Sequence, residues 1–189
     1  MKTLKIIFIT SGVSILLIAG ILFYIAVLPW LLIGAGMLFA PKDPRPEITY
    51  GEFPFELVYE IDGQVITVQD TYVCEFQGYS VNEGSMRKMR EWSGHMKSTG
   101  EEYVILVQDG NFYLVCSVGS PKYYMNDPYY DSYNVGGLHE PNIFYIIEPN
   151  DVGGSTSGGS QEEIERLMEQ YKIKLVSWQF SEPIENTFK

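Results

Sequence analysis

The sequence predicts an α+β protein: an N-terminal transmembrane helix, then a small antiparallel-sheet domain with one or two packed helices. Three observations predict it. Ile6 to Ala40 is a run of 35 residues without a charge. Two later stretches alternate apolar and polar residues on either side of an Asp-Gly pair. Ser160 opens a segment whose apolar residues recur at helical spacing.

The uncharged run comes first. About 20 apolar residues cross a bilayer as a helix. As one helix the run would extend about 52 Å, well past a hydrocarbon core of about 30 Å. Pro29 lacks an N–H and crowds the preceding turn, so it is the expected point of division. Trp30 follows, and Trp favours the headgroup level. The reading is one span from about Ile6 to Leu28. Residues 30–40 then lie at the interface or continue the helix as a kinked extension. A two-helix hairpin would leave too few residues after Pro29 to cross. Lys2 and Lys5 precede the run with no acid beside them, whereas Lys42 and Arg45 alternate with Asp43 and Glu47. Unopposed cations mark the cytoplasmic side. The expected topology is a single-pass anchor in the cell membrane, N-terminus cytoplasmic and C-terminal domain extracytoplasmic. A cleaved signal peptide has a much shorter apolar region. The run therefore reads as an uncleaved signal anchor over 1–40.

Beyond it, PKDPRPE carries three prolines in seven residues. Residues 41–53 read as a stiff, extended stalk. Residues 54–189 make one domain, large enough for its own core. All 24 acids lie after residue 40, against 11 of the 13 bases, which puts this part near −13. Such a charge favours solubility and disfavours nucleic acid, whose phosphates need a basic footprint.

Within the domain, Phe55, Leu57, Tyr59 and Ile61 alternate up to Asp62-Gly63, and Ile66 and Val68 follow. A two-residue type I′ turn pairs Tyr59 with Ile66 and Leu57 with Val68. A second hairpin of the same design is expected around Asp109-Gly110. Both of its faces are apolar, which predicts a place inside the sheet. NIFYIIE (142–148) and IKLVSWQF (173–180) are further strands. A short helix is expected from Met86 to Trp92. GGSTSGGS (153–160) reads as a linker or loop. Ser160 and Glu163 form a capping box, and Ile164, Leu167, Met168 and Tyr171 form one apolar stripe.

Candidate sites are few. Lys122 to Asn134 holds five tyrosines: Tyr123, Tyr124, Tyr129, Tyr130 and Tyr133. Tyrosine is rigid and amphipathic, so these residues form the candidate ligand-binding surface for an envelope protein, a peptide or a glycan. The alternative is an ordered loop covering the sheet edge. Asp127 and Asp131, with Asn126 and Asn134, offer oxygens but miss the EF-hand spacing, so no metal is expected. Cys74 and Cys116 both sit in strand contexts. A disulfide between them and two buried thiols are both open alternatives. His95 and His139 lack partners at metal-ligand spacing. A Cys116–His95 dyad is disfavoured, because a mid-strand thiol has little access. Arg87, Lys88 and Arg90 form a basic cluster, read as a solvated helix face or as partners of the domain's own carboxylates, with contact to anionic lipid or wall polymer as the sharper alternative. No catalytic residue and no cofactor is expected.

The stretch PEITYGEFPFELVYEIDG together with the closing SWQFSEPIENTF resembles a group of uncharacterised single-pass membrane-anchored bacterial proteins with no assigned function. That resemblance implies a bacterial, extracytoplasmic setting and no activity. The leading functional reading is a membrane-tethered, non-catalytic binding domain. The alternative is an assembly subunit acting through its helix, where Thr10, Ser11, Ser14 and several glycines permit close contact. An envelope enzyme ranks third.

Overall fold

The computed structural model describes residues 17–82, 87–129, 141–148 and 155–189. The chain is an α+β protein with an N-terminal apolar helix followed by antiparallel sheets. It divides into two units: residues 1–43 with 79–89, and residues 44–78 with 90–189.

The first unit is built on helix α1, Leu17–Leu38, which is long and apolar enough to cross a membrane and has no buried residue. The described part alone extends about 33 Å, enough to cross a hydrocarbon core of about 30 Å. The helix does not stop at Pro29. It absorbs the proline with a π turn over Phe23–Val27, in which the Leu28 N–H donates to the Phe23 carbonyl. Such wide turns are a usual partner of helix irregularities. Of the two expectations for residues 30–40, continuation as helix is the one observed, so Trp30 lies within α1.

The described strands form two four-stranded sheets. Strand β1 (Tyr50–Ile61) pairs with β2 (Gln64–Asn82) in the expected register, Tyr59 opposite Ile66 and Leu57 opposite Val68. Asp62 and Gly63 have φ of 50° and 81°, as a type I′ turn requires. With β3 (Arg87–Met96) and β8 (Ile173–Phe180) the order is β3-β2-β1-β8. The second sheet runs β4-β5-β6-β7, with β4 at Tyr103–Asp109, β5 at Phe112–Ser117, β6 at Asn142–Ile147 and β7 at Thr156–Gly158.

Four expectations are corrected. Met86 to Trp92 is not a helix: Arg87–Met96 is strand β3, with Arg90, Trp92, Gly94 and Met96 buried in alternation. Arg90 and Gly94 at inward positions hid that period-2 pattern. The second hairpin turns one residue later than expected. Asp109 pairs with Phe112, so Gly110-Asn111 is the loop. Gly110 has φ 61°, and glycine at the first turn position suits a type II′ turn. Only β5 is internal, since β4 is the sheet edge and leaves Ile105 42% exposed. Finally, the centre of the glycine-serine stretch is strand β7, where Gly158 pairs with Tyr145.

The Pro-rich stretch is also tied down from Pro44 onward. The Arg45 N–H donates to the Lys189 carbonyl at 2.7 Å and the Glu47 N–H to the Thr187 carbonyl at 2.8 Å. The Asn186 side chain bonds both the N–H and the carbonyl of Ile48. These pairings tie residues 45–48 to the C-terminal residues 186–189.

One core joins the sheets. Phe53, Phe55, Leu57 and Tyr59 of β1 meet Val104 and Leu106 of β4 and Leu114 and Cys116 of β5. Helix α3 (Gln161–Gln170) closes it, with Ile164 buried and Leu167, Met168 and Tyr171 packed against the cluster. The Ser160 side chain caps α3 by accepting from the Glu163 N–H. A shorter helix, α2, spans Pro121–Tyr124.

Leu114 is fully buried. Leu114→Ala should cost about 2–5 kcal/mol through lost transfer energy and a residual cavity. Val65 is 66% exposed, so Val65→Thr should stay within about 0.5 kcal/mol. Denaturant midpoints of the full chain in detergent check both.

Candidate functional site

The tyrosine-rich segment separates into residues with different roles. Tyr124 is 2% exposed and belongs to the core. Its hydroxyl donates to the Val118 carbonyl at 2.6 Å, and its ring packs on Phe53 and Tyr72. Burial pushes its phenol well above the usual range. Tyr124 therefore cannot touch a ligand. Tyr123 is half-buried against Tyr124 and Phe180. The Tyr129 ring lies 5.0 Å from the Arg90 guanidinium. Tyr130 and Tyr133 lie outside the described residues, as do Asp131, Asn134 and His139.

What fixes this segment is Asp127, which sequence reading weighed only as a metal oxygen. Its side chain is 1% exposed, as is that of Arg90. Asp127 Oδ2 accepts from Arg90 Nε at 2.7 Å and from Trp92 Nε1 at 2.9 Å. Oδ1 accepts from Arg90 Nη2 at 2.8 Å and from the Tyr129 N–H at 3.0 Å. Arg90 Nη1 donates to the Pro44 carbonyl at 3.0 Å, and the guanidinium sits 4.4 Å from the Phe188 ring. Four donors thus saturate one carboxylate. Burial raises its pKa, but the bonds from Arg90, Tyr129 and Trp92 together outweigh that and hold it below the usual carboxylate value. A carboxylate so engaged is a structural anchor, and Arg90 leaves the basic cluster expected at 87–90. Among the described residues no group of three or more His, Cys, Asp or Glu side chains is placed to hold a metal ion.

The concave feature lies elsewhere. A cleft of about 450 Å³ is lined on one side by Tyr72 of β2 and by Trp92, Ser93 and Gly94 of β3. Tyr103, Ser117, Phe144, Ile146 and Ser157, from one face of the second sheet, also line it. Those residues share a face because Tyr103 pairs with Ser117 and Ser157 with Ile146. Tyr103 and Phe144 meet edge to face, with centroids 5.9 Å apart. Gly94 is required here. A Cβ on it would lie 2.1 Å from the Tyr72 hydroxyl, so only glycine lets that ring cross the strand.

The groups lining this cleft include aromatic rings, hydroxyls and one carboxylate. Aromatic faces alternate with serine hydroxyls, and Glu102 supplies one carboxylate. Burial raises the Tyr72 phenol, and burial with the nearby Glu101, Glu102 and Glu148 raises Tyr103. Neither is a base at neutral pH. The Ser117 hydroxyl already accepts the Gly119 N–H at 3.3 Å. Neither histidine nor cysteine occurs among the described lining residues. No family model, curated protein or solved structure matches this chain. The cleft must therefore be read from its own groups.

Cys74 and Cys116 are free thiols, both fully buried in the core. Burial pushes each up to about 12. Neither should react with iodoacetamide at pH 8 in the native state, whereas both should react after unfolding, as mass spectrometry would show.

Removing one member of the buried pair strands the other. Asp127→Ala should destabilise by about 3–5 kcal/mol, while the paired change Arg90→Met with Asp127→Leu should cost less. The pH dependence has a fixed sign. The folded pKa of Asp127 lies below its unfolded value of about 3.9, so its stabilisation is full above that value and is lost as pH falls through the folded one. The stability gap between wild type and Asp127→Asn should therefore narrow below about pH 4 in an acid titration.

Proposed function

We propose that this chain is a single-pass protein of a bacterial cell membrane whose exported α+β domain binds a ligand without chemically transforming it. The observation that carries the reading is the uncovered helix. Leu17–Leu38 is apolar throughout and no residue of it is buried. In water such a surface would draw itself into aggregates, and lipid is the solvent it suits. Lys2 and Lys5 on the N-terminal flank support an inside start and an outside domain.

The cleft supports the binding part. Tyr103 and Phe144 offer flat apolar faces, Ser117 and Ser157 offer hydroxyls, and Glu102 offers a charge. That mixture suits an envelope peptide or a glycan, whose apolar faces stack on aromatic rings while polar groups find hydrogen bonds. Of the five tyrosines, Tyr124 belongs to the core and Tyr129 to the Asp127 anchor, and the cleft is the contact surface proposed here beside the others. The resemblance to single-pass bacterial membrane proteins points the same way.

Two measurements test the proposal. Protease added to intact spheroplasts should remove the domain and leave a short N-terminal fragment in carbonate-washed membranes; a protected domain overturns the topology. A benzophenone amino acid at exposed position 157 should crosslink an envelope peptide or glycan in cells. Tyr103→Ala should cut that yield about fivefold, the equivalent of roughly 1 kcal/mol for a lost aromatic face. Equal yield from a probe at exposed Val65 would overturn the cleft as the site.

A further inference from the structure

The first unit contains three cations gathered at one end of α1. The Lys88 ammonium donates to the Leu38 carbonyl at 2.9 Å, on the final residue of the helix. The Lys88 backbone closes on the chain just after it. Its N–H donates to the Pro41 carbonyl at 2.9 Å and its carbonyl accepts the Asp43 N–H at 3.0 Å. Arg87 pairs through Nη2 with Asp43 Oδ1 at 2.8 Å, and its side chain is 44% exposed. The Lys42 ammonium sits 4.0 Å over the Tyr79 ring. Residues 79–89 are thus bonded to the helix end, and they group with the helix and not with the domain.

Resting on the membrane reading above, we infer that Lys42, Arg87 and Lys88, with Tyr79, form a contact site for the phosphates of anionic phospholipid at the C-terminal end of α1. The position follows from the bonds. The helix ends at Leu38 and the uncharged run ends at Ala40, so its last carbonyl lies where apolar surface gives way to charge, the level at which headgroup phosphates begin. An ammonium held on that carbonyl lies at phosphate level. Lys42 and Arg87 lie within a few residues of it along the bonded backbone. Tyrosine is enriched at the same depth. The charge argues for the same occupant. Asp43 pairs with Arg87, while the Lys42 ammonium sits on the Tyr79 ring and the Lys88 ammonium on the Leu38 carbonyl. Clustered Lys and Arg next to a membrane span attract anionic lipid, and their attraction is electrostatic and screenable. Asp43 positions Arg87 and is not itself a lipid ligand.

The test uses the full chain reconstituted in phosphatidylcholine vesicles containing spin-labelled phosphatidylglycerol or spin-labelled phosphatidylcholine. Wild type should retain the anionic label in its motionally restricted shell in preference to the neutral one. Lys42→Gln with Lys88→Gln should lower that preference by about half or more, and Arg87→Gln added to them should lower it further. Raising salt from about 0.1 M to about 1 M, which shortens the screening length from about 10 Å to about 3 Å, should erase most of it in wild type. The salt arm needs no variant, so it stands even if Arg87→Gln, which strands buried Asp43, fails to fold. Lys2 and Lys5 are constant throughout, so the differences report the C-terminal cations. An unchanged preference in the double variant, or none in wild type, overturns the site while leaving the anchor intact. A chain that fails to float with vesicles overturns the anchor and the site together.

Discussion

The domain depends on one carboxylate. Asp127 is out of water, and a lone buried charge is costly. It is tolerated because the Arg90 fork, the Trp92 indole and the Tyr129 amide all donate to it. Each of those donors belongs to a different problem of the fold. Arg90 and Trp92 fix β3 at the edge of the first sheet. Tyr129 fixes the exit of the tyrosine-rich segment. Through Pro44 and Phe188 the same guanidinium reaches the start of the domain and its C-terminal residues. A buried ion pair is weak evidence for net stability, yet breaking one is expensive. Its value here is in specifying arrangement: residues 127–129, which bring few apolar contacts, are held by hydrogen bonds.

Several elements were legible before the structure, and each had a local cause. The first hairpin follows from Asp62-Gly63 and strict alternation, both properties of adjacent residues. Helix α3 follows from Ser160 and a four-residue stripe. What was not legible depends on distance. Asp127 and Arg90 are 37 residues apart, so nothing local distinguished an anchor from a calcium ligand. Tyr124 and Tyr129 are chemically identical in the sequence; only the approach of Phe53 and Tyr72 makes one of them core. The cleft draws residues from both sheets and from the segments between strands, so it has no sequence signature at all. Strand β3 was misread for a sharper reason. Its inward residues include a charge and a glycine, each retained for a contact with a distant residue: Asp127 for Arg90, the Tyr72 ring for Gly94.

The same contacts decide what the cleft does. A site for acid–base work needs a group whose pKa is drawn toward neutrality and whose geometry reaches a partner. Here the perturbed groups move the other way. The phenols of Tyr72 and Tyr103 and the thiols of Cys74 and Cys116 are all raised, chiefly by burial, with no cation beside them to favour the charged form. Asp127, the one buried carboxylate with lowered pKa, is consumed by its own donors. The polar groups left along the wall are hydroxyls and Glu102, which is at the rim where water competes. Among the described lining residues, such groups are suited to shape and hydrogen-bond complementarity, in line with the proposed binding role.

Helix α1 carries a further constraint. Pro29 removes a hydrogen bond from a helix that, in lipid, has no water to compensate. The π turn over Phe23–Val27 keeps the backbone bonded within the segment, the Leu28 N–H reaching back to Phe23. At its other end the helix faces the same difficulty, since its last carbonyls have no partner within the helix. The Phe39 N–H answers one by bonding the Ala35 carbonyl, and the Lys88 ammonium answers another at Leu38. A cation at a helix C-terminus also complements the negative end of the macrodipole. A neutral donor would satisfy the hydrogen bond equally well. Lysine there adds a charge, and in the proposed membrane setting that charge would meet the phosphate layer, so capping the helix and contacting lipid would fall to one side chain.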